Sequence, residues 1–423
     1  MLFLLVLMVG ISPRLSLQFL DAEIRVQDLM VPFLLLYLAM SISPRVKHPI
    51  RQLLGVLLPL FLFFSFAVVA LSLMLTAEVS VLRRVAYYGR TIELFAIAAI
   101  VAGLYLRSGP KAFDVALRGI TAGALLNLGW FIYQTVSGDS TTLFGTEVSD
   151  DIESYGPRLL GEPSAFGVGQ YWAFIAAVAA ARIKNRKNFW FSVVLLVGAF
   201  WGAVVAESRI SVGAILVIAG LLLTLGPDRR RPIDLMGILT GVILIVGGFV
   251  TIVPQLGDRF SREDIASSID VRVDTIWSPQ IQIVLDSPLI GIGPGGLLGE
   301  GNQSEAHNIV IRAMLDFGIL VGALFLGLFV VALVRSYRLA RSTSVDTVTR
   351  TVAYLAAFSI LATLISGMMQ DSLTAVMSSH LTMIAIGLIA AQRAVFFHNR
   401  KEKDDQEQEK KNHAAQLTGP ATA

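Results

Sequence analysis

Residues 286–322 read DSPLIGIGPGGLLGEGNQSEAHNIVIRAMLDFGILVG. Five glycines between positions 291 and 299 exclude a regular helix there, because each frees the backbone for unusual dihedral angles. After Ala306 the spacing turns helical, and the apolar run continues to Val334. The pattern therefore predicts a structured loop that ends at His307 and feeds directly into a membrane helix. A histidine at that junction titrates near neutral pH and meets both water and the edge of the bilayer.

Outward from this stretch, the alternation of polar loop and apolar run repeats along the chain. Of 423 residues, 55% are hydrophobic and 15% are charged, against about 25% charged in soluble domains. Spans are expected at about residues 1–12, 26–43, 53–75, 90–106, 115–137, 164–181, 189–206, 209–226, 233–253, 307–334, 351–369 and 373–391. The fold class is thus an all-α polytopic membrane protein of about twelve transmembrane helices, with a large helical loop on one side. The first eleven residues lack a basic lead and a small-residue cleavage site, so they read as a short first span rather than a cleaved signal. There is no cysteine, which excludes disulfide and thiol chemistry.

The loops decide orientation. One alternate set, with the tail, holds 23 of the 34 Lys+Arg, including all eight lysines. That set is cytoplasmic by the positive-inside rule, which puts both termini in the cytoplasm. The other face carries 22 of the 31 acidic residues, and its eleven basic residues are all arginine. Arginine presents a planar fork that matches phosphate and does not deprotonate. The expected organisation is a transmembrane domain over 1–397, with outer loops at 138–163 and 254–306, and a disordered cytoplasmic tail over 398–423. The 264–285 part of the larger loop reads as helix with a break at Pro279.

His307 is the histidine placed to act as a general base on the outer side. A helix-capping histidine is the competing reading. Asn308, Arg312 and Asp316 share one face of the helix that follows, and Arg312 is expected to pair with Asp316 as a brace. Arg209 sits in Glu207-Ser208-Arg209 with almost no loop around it. Binding phosphate and pairing with Glu207 both fit it. Arg272 lies five residues before Trp277, on a segment that reads either as an interfacial helix or as a cradle for a diphosphate. Arg158 and Glu162 are further polar candidates, and Arg83, Arg84 and Arg90 with Tyr87 and Tyr88 form a basic patch suited to anchoring or lipid-phosphate contact. The glycine pattern 291–296 is no dinucleotide fingerprint, because no βαβ unit surrounds it and Pro294 interrupts it. No outer cluster has zinc-ligand spacing, and nothing in the chain suggests nucleic-acid binding.

The run Arg272…Trp277…Asp286-Ser-Pro288-Leu-Ile-Gly291-Ile-Gly293-Pro-Gly295…His307-Asn308…Gly318-Ile, with Ser208-Arg209 upstream, resembles the O-antigen ligase/polymerase superfamily. Asn308 and Gly318 have the nine-residue spacing of that family's ligases, whereas Val321 stands where a small residue or Tyr is usual. The resemblance implies a GT-C-like glycosyltransferase that takes a glycan from a polyprenyl (undecaprenyl) diphosphate carrier at the periplasmic face. It implies that Arg209 and Arg272 hold the donor diphosphate and that His307 is the base for the acceptor hydroxyl. It implies inversion at the anomeric carbon and no metal or other cofactor. Asn308 and Asp371 enter as possible substrate contacts. The acceptor is expected to be a glycan repeat unit (a polymerase of O-antigen or exopolysaccharide), or a lipid A core or protein (a ligase). A lipid-linked-glycan flippase is the alternative of another class, but transporters place broken helices and polar residues at the midplane.

Overall fold

The computed structural model describes residues 1–15, 24–41, 49–75, 81–137, 159–160, 165–184, 188–206, 208–224, 262–296, 306–369 and 376–417. Among these, the regular structure is helical apart from two two-residue strands, β1 (Arg14–Leu15) and β2 (Ile24–Arg25), which pair antiparallel. The helices are α1 (Leu2–Ile11), α2 (Val26–Ser41), α3 (Pro49–Leu54), α4 (Leu57–Leu75), α5 (Val81–Ser108), α6 (Lys111–Ser137), α7 (Ala165–Lys184), α8 (Phe189–Val205) and α9 (Arg209–Thr224). They continue as α10 (Arg262–Val271), a π-helical turn (Arg272–Trp277), α11 (Ser278–Asp286), α12 (Ile309–Arg341), α13 (Thr347–Gly367) and α14 (Val376–Leu417).

Among the described residues, six helices are long and apolar enough to cross a membrane, and four shorter apolar helices accompany them. The protein is therefore a multi-pass membrane protein. Helix α7 is its hub. Its run of small residues, with Ala173, Ala176, Ala177, Ala179 and Ala180 fully buried, lets neighbouring helices approach on every side. Large apolar side chains such as Phe33, Phe63, Phe66, Met74, Val136 and Trp190 stay exposed around the outside. In water that much exposed apolar surface would drive association, whereas in lipid it is the normal state.

Among the described residues the expected helix positions hold, with four differences of detail. Helix α5 begins at Val81 rather than near 90, because its first polar turns are engaged by another part of the chain, as described below. The span expected over 53–75 is divided into α3 and α4 at Gly55. Pro279 does not break its helix. The proline lacks an N–H, and the preceding turn widens so that the Ser278 N–H reaches back five residues to the Val273 carbonyl. The tail is helical as far as Leu417 rather than disordered from His398. Its Glu, Lys, Gln and Ala are strong helix formers, and His398 pairs with Glu402 at 3.2 Å one turn on. The span expected over 233–253 and the outer loop 138–158 lie outside the described residues.

Candidate functional site

Helix α12 is interrupted at Gly318, whose backbone sits at φ 74°, ψ 172°. A continuous helix would join the Ile319 N–H to the Leu315 carbonyl. Here the turn over residues 287–296 takes both groups. The Ile319 N–H donates to the Pro288 carbonyl at 2.8 Å, and the Ile292 N–H donates to the Leu315 carbonyl at 2.8 Å. The glycine-rich turn is thus docked into a helix break that it repairs. Gly318 is required there, because a Cβ would overlap the Leu289 carbonyl and an L side chain avoids this backbone region. Phe61, Phe95, Phe317 and Phe325 pack around the break, with Phe61 edge-on to Phe317 at 5.7 Å.

Helix α5 holds the same turn from the other side. Arg84 is buried, and its Nη1 donates to the Ile292 carbonyl at 2.6 Å. At Gly293 a Cβ would overlap that guanidinium. Arg84 therefore serves as a clamp rather than as part of an exposed basic patch. Tyr87, one turn further on, lies between two cations. Arg90 approaches its ring at 5.6 Å and Arg312 at 5.9 Å. Arg312 also pairs with Asp316 at 2.8 Å in a buried setting, the brace expected from the sequence.

His307 stands at the entrance to α12. It is half-buried and holds a left-handed backbone at φ 46°, a conformation uncommon for a side-chain-bearing residue. The segments on both sides of it are fixed. Before it, Trp277 donates its Nε1–H to the Ala306 carbonyl at 3.0 Å. After it, Asn308 caps α12 by accepting from Val310 N at 2.8 Å and Ile311 N at 3.2 Å. The same amide donates to the Met368 carbonyl, at the end of α13, at 2.9 Å. Asn308 was expected as a possible substrate contact. It is buried, and both ends of its amide are bound to the protein beside the histidine.

Arg209 is the first residue of α9 and follows Ser208, whose hydroxyl donates to Ser211 at 2.8 Å. Arg272 opens the π-helical turn that ends at Trp277. The two arginines come from opposite sides of a long connection yet lie within electrostatic reach of each other. Burial first, and then the positive charge of Arg209, hold the Arg272 guanidinium below its ordinary pKa. Both side chains are half-buried. Arg209 at the N-terminus of α9, with the charge of Arg272 acting alongside it, forms a positive field that favours a multiply charged anion. The Trp277–Ala306 bond fastens the Arg272 turn to the backbone beside His307. Arg158, Glu162, Asp371 and the Glu207 partner considered for Arg209 lie outside the described residues. Among the described residues no three His, Cys, Asp or Glu side chains are grouped to hold a metal ion.

The sequence singled out Arg84, Tyr87 and Arg90 only as a patch. The tasks of Arg84 and Tyr87 had no local signal, since their partners Ile292 and Arg312 lie about two hundred residues away. The Trp277–Ala306 bond was equally hidden.

Residues 192–326 match the protein-family model described as O-antigen ligase. The match covers about a third of the chain and includes Arg209, Arg272, the glycine turn, His307 and Gly318. No curated protein matches the chain.

Proposed function

We propose, on the match of residues 192–326 to the O-antigen ligase family model, that the chain is a glycosyltransferase that moves a glycan from a polyprenyl diphosphate carrier to an acceptor hydroxyl at the extracytoplasmic face. The observation that carries this reading is that Arg209, the first residue of α9, and Arg272, the first residue of the π-helical turn, lie within electrostatic reach of each other. Two guanidinium groups whose charges act on each other, one of them desolvated, are relieved when a diphosphate binds near both. They also stabilise the charge that builds on that diphosphate as it leaves.

His307 is the group suited to take the acceptor proton. The acceptor oxygen attacks the anomeric carbon from the face opposite the diphosphate. The bond from that carbon to the diphosphate oxygen breaks with its electron pair remaining on the diphosphate, and the configuration inverts. The left-handed backbone of His307, fixed between the Ala306 and Asn308 anchors, sets the direction of the imidazole. The arginines supply the charge neutralisation, so these steps assign no role to a metal or other cofactor.

We assign the transfer to polymerisation of O-antigen or exopolysaccharide repeat units in the bacterial inner membrane, with undecaprenyl diphosphate as carrier and both termini cytoplasmic. Ligation to a lipid A core is the second reading, favoured by the description of the matching family model. A flippase would be favoured by a helix break lining a cavity, but the backbone groups freed at Gly318 are bonded to the docked turn. The test is surface glycan length in cells carrying His307→Ala or Arg209→Ala at normal protein level. Loss of polymer is expected, and unchanged polymer removes these residues from the mechanism. A deletion strain separates the branches. Single repeat units on the core mean a polymerase, and carrier-bound polymer with a bare core means a ligase.

A further inference from the structure

At the end of α12 remote from His307, where the turn into α13 meets α14, the protein holds a cavity of about 500 Å³. That is within the ~300–1,000 Å³ usual for small-ligand sites. Gln392, Val395, Phe396, Asn399 and Arg400 line it from α14, and their spacing puts them on one face of that helix. Asp346 and Thr349, at the start of α13, line it as well.

The floor is tied by a directional chain of hydrogen bonds. Tyr105 on α5 donates to Gln392 Oε1, and Gln392 Nε2 donates to Thr349 Oγ1. Thr349 Oγ1 donates to Asp346 Oδ2 at 3.0 Å, and the Thr349 N–H donates to Asp346 Oδ1 at 2.7 Å. Every hydrogen in the chain points towards Asp346. Its carboxylate therefore only accepts, and each oxygen keeps a further lone pair for a ligand. Gln392 and Thr349 are buried, whereas Asp346 and Arg400 are exposed. No ion pair joins Asp346 to Arg400, so two opposite charges face one cavity without neutralising each other. At this level α14 passes from the apolar run ending at Phe397 to the charged run His398-Asn-Arg-Lys-Glu-Lys403. The cavity thus lies at the edge of the bilayer.

The chemistry selects an occupant. A simple cation is repelled by Arg400, and a simple anion by Asp346. A group that carries an ammonium and a phosphate a few atoms apart satisfies both. Val395 and Phe396 precede Arg400 on α14 and so lie on its bilayer side, where acyl chains would leave the headgroup.

We propose that this cavity binds the headgroup of a phospholipid with a primary ammonium, a phosphatidylethanolamine, with the ammonium on Asp346 and the phosphate on Arg400. The site is at the opposite end of α12 from His307 and does not depend on the transferase reading. The test is thermal unfolding of the detergent-purified full chain titrated with short-chain phospholipids, whose midpoint shifts read affinity. Dioctanoyl phosphatidylethanolamine is expected to bind the wild type about fivefold more tightly than the matching phosphatidylglycerol, which lacks the ammonium, or phosphatidylcholine, which lacks its N–H donors. Asp346→Asn keeps the α13 cap, because asparagine accepts the Thr349 N–H as aspartate does, and is expected to erase that preference. Arg400→Gln is expected to weaken phosphatidylethanolamine binding by about the same factor. Equal binding of the three lipids by the wild type overturns the site. A preference that survives in Asp346→Asn, or undiminished binding in Arg400→Gln, overturns it too. Free phosphoethanolamine that acts at the lipid's own concentration makes the ligand a soluble one and refutes the lipid assignment. If a variant fails to fold, phosphatidylethanolamine with a photoreactive acyl chain decides on the wild-type chain. Labels within 344–349 or 392–400 support the site, and labels confined elsewhere refute it.

Discussion

Replacing Gly318 by alanine tests the joint between the glycine turn and α12. At φ 74°, ψ 172° an alanine occupies a region that only glycine visits freely, which costs about 1–3 kcal/mol. Its Cβ overlaps the Leu289 carbonyl, so the turn has to withdraw. Withdrawal breaks the Ile319–Pro288 and Ile292–Leu315 hydrogen bonds, each worth about 1 kcal/mol net and more if the freed groups stay buried. The sum is about 3–5 kcal/mol against the docked arrangement. Gly89→Ala is the control. It lies in α5, a Cβ there meets nothing within 4 Å, and the change should stabilise by about 0.5–1 kcal/mol. The assay is thermal unfolding of the detergent-purified chain, paired with polymer length in cells. Gly318→Ala should lower the midpoint and shorten or abolish the polymer, while Gly89→Ala should lower neither. A Gly318→Ala protein with wild-type stability and polymer would refute the account of the repaired helix break.

Three further outcomes follow from the same geometry. Arg272→Gln removes a cation held below its ordinary pKa by burial and by Arg209. A base with a depressed folded-state pKa destabilises the fold while it is protonated. The ligand-free variant should therefore melt higher than wild type, yet added inorganic diphosphate should no longer raise its midpoint. A lower midpoint without ligand would contradict the like-charge pairing. Asn308→Ala loses the α12 cap and the tie to Met368, and should cost about 1–2 kcal/mol in unfolding experiments. His307→Ala should abolish transfer without a comparable loss of stability, and equal stability losses in the two variants would reduce His307 to a structural residue. Trp277→Phe keeps the ring but loses the donor to Ala306. A loss of about 1 kcal/mol is expected, with a larger effect on transfer rate than on donor affinity. Unchanged transfer kinetics would show that this anchor does not hold His307.

Much of the molecule was legible in residue order. Apolar runs of about twenty residues give helices wherever they fall, because lipid leaves the backbone no other way to satisfy its polar groups. That rule placed α5 to α9 and α12 to α14 close to where they lie. The Arg312–Asp316 brace was visible as well, since partners four residues apart share a helix face. The Asn308–Gly318 spacing was visible as a pattern but carried no cause. Its cause is tertiary, because residue 318 must be glycine only when the turn at 288–292 enters the helix there.

The sequence by itself determined which segments are helices and which residue types could do chemistry. Tertiary structure decided what the polar side chains with distant partners are for. Arg84 and Arg90 look alike along the chain, yet one is buried against the Ile292 carbonyl while the other is half-buried over the Tyr87 ring. Asp28 and Glu93 sit on separate helices and meet only when α2 packs against α5. Local periodicity encodes the energetics of neighbours within a turn or two. The field at a guanidinium or a carboxyl is set by groups far away in sequence, which become its neighbours only when the bundle closes.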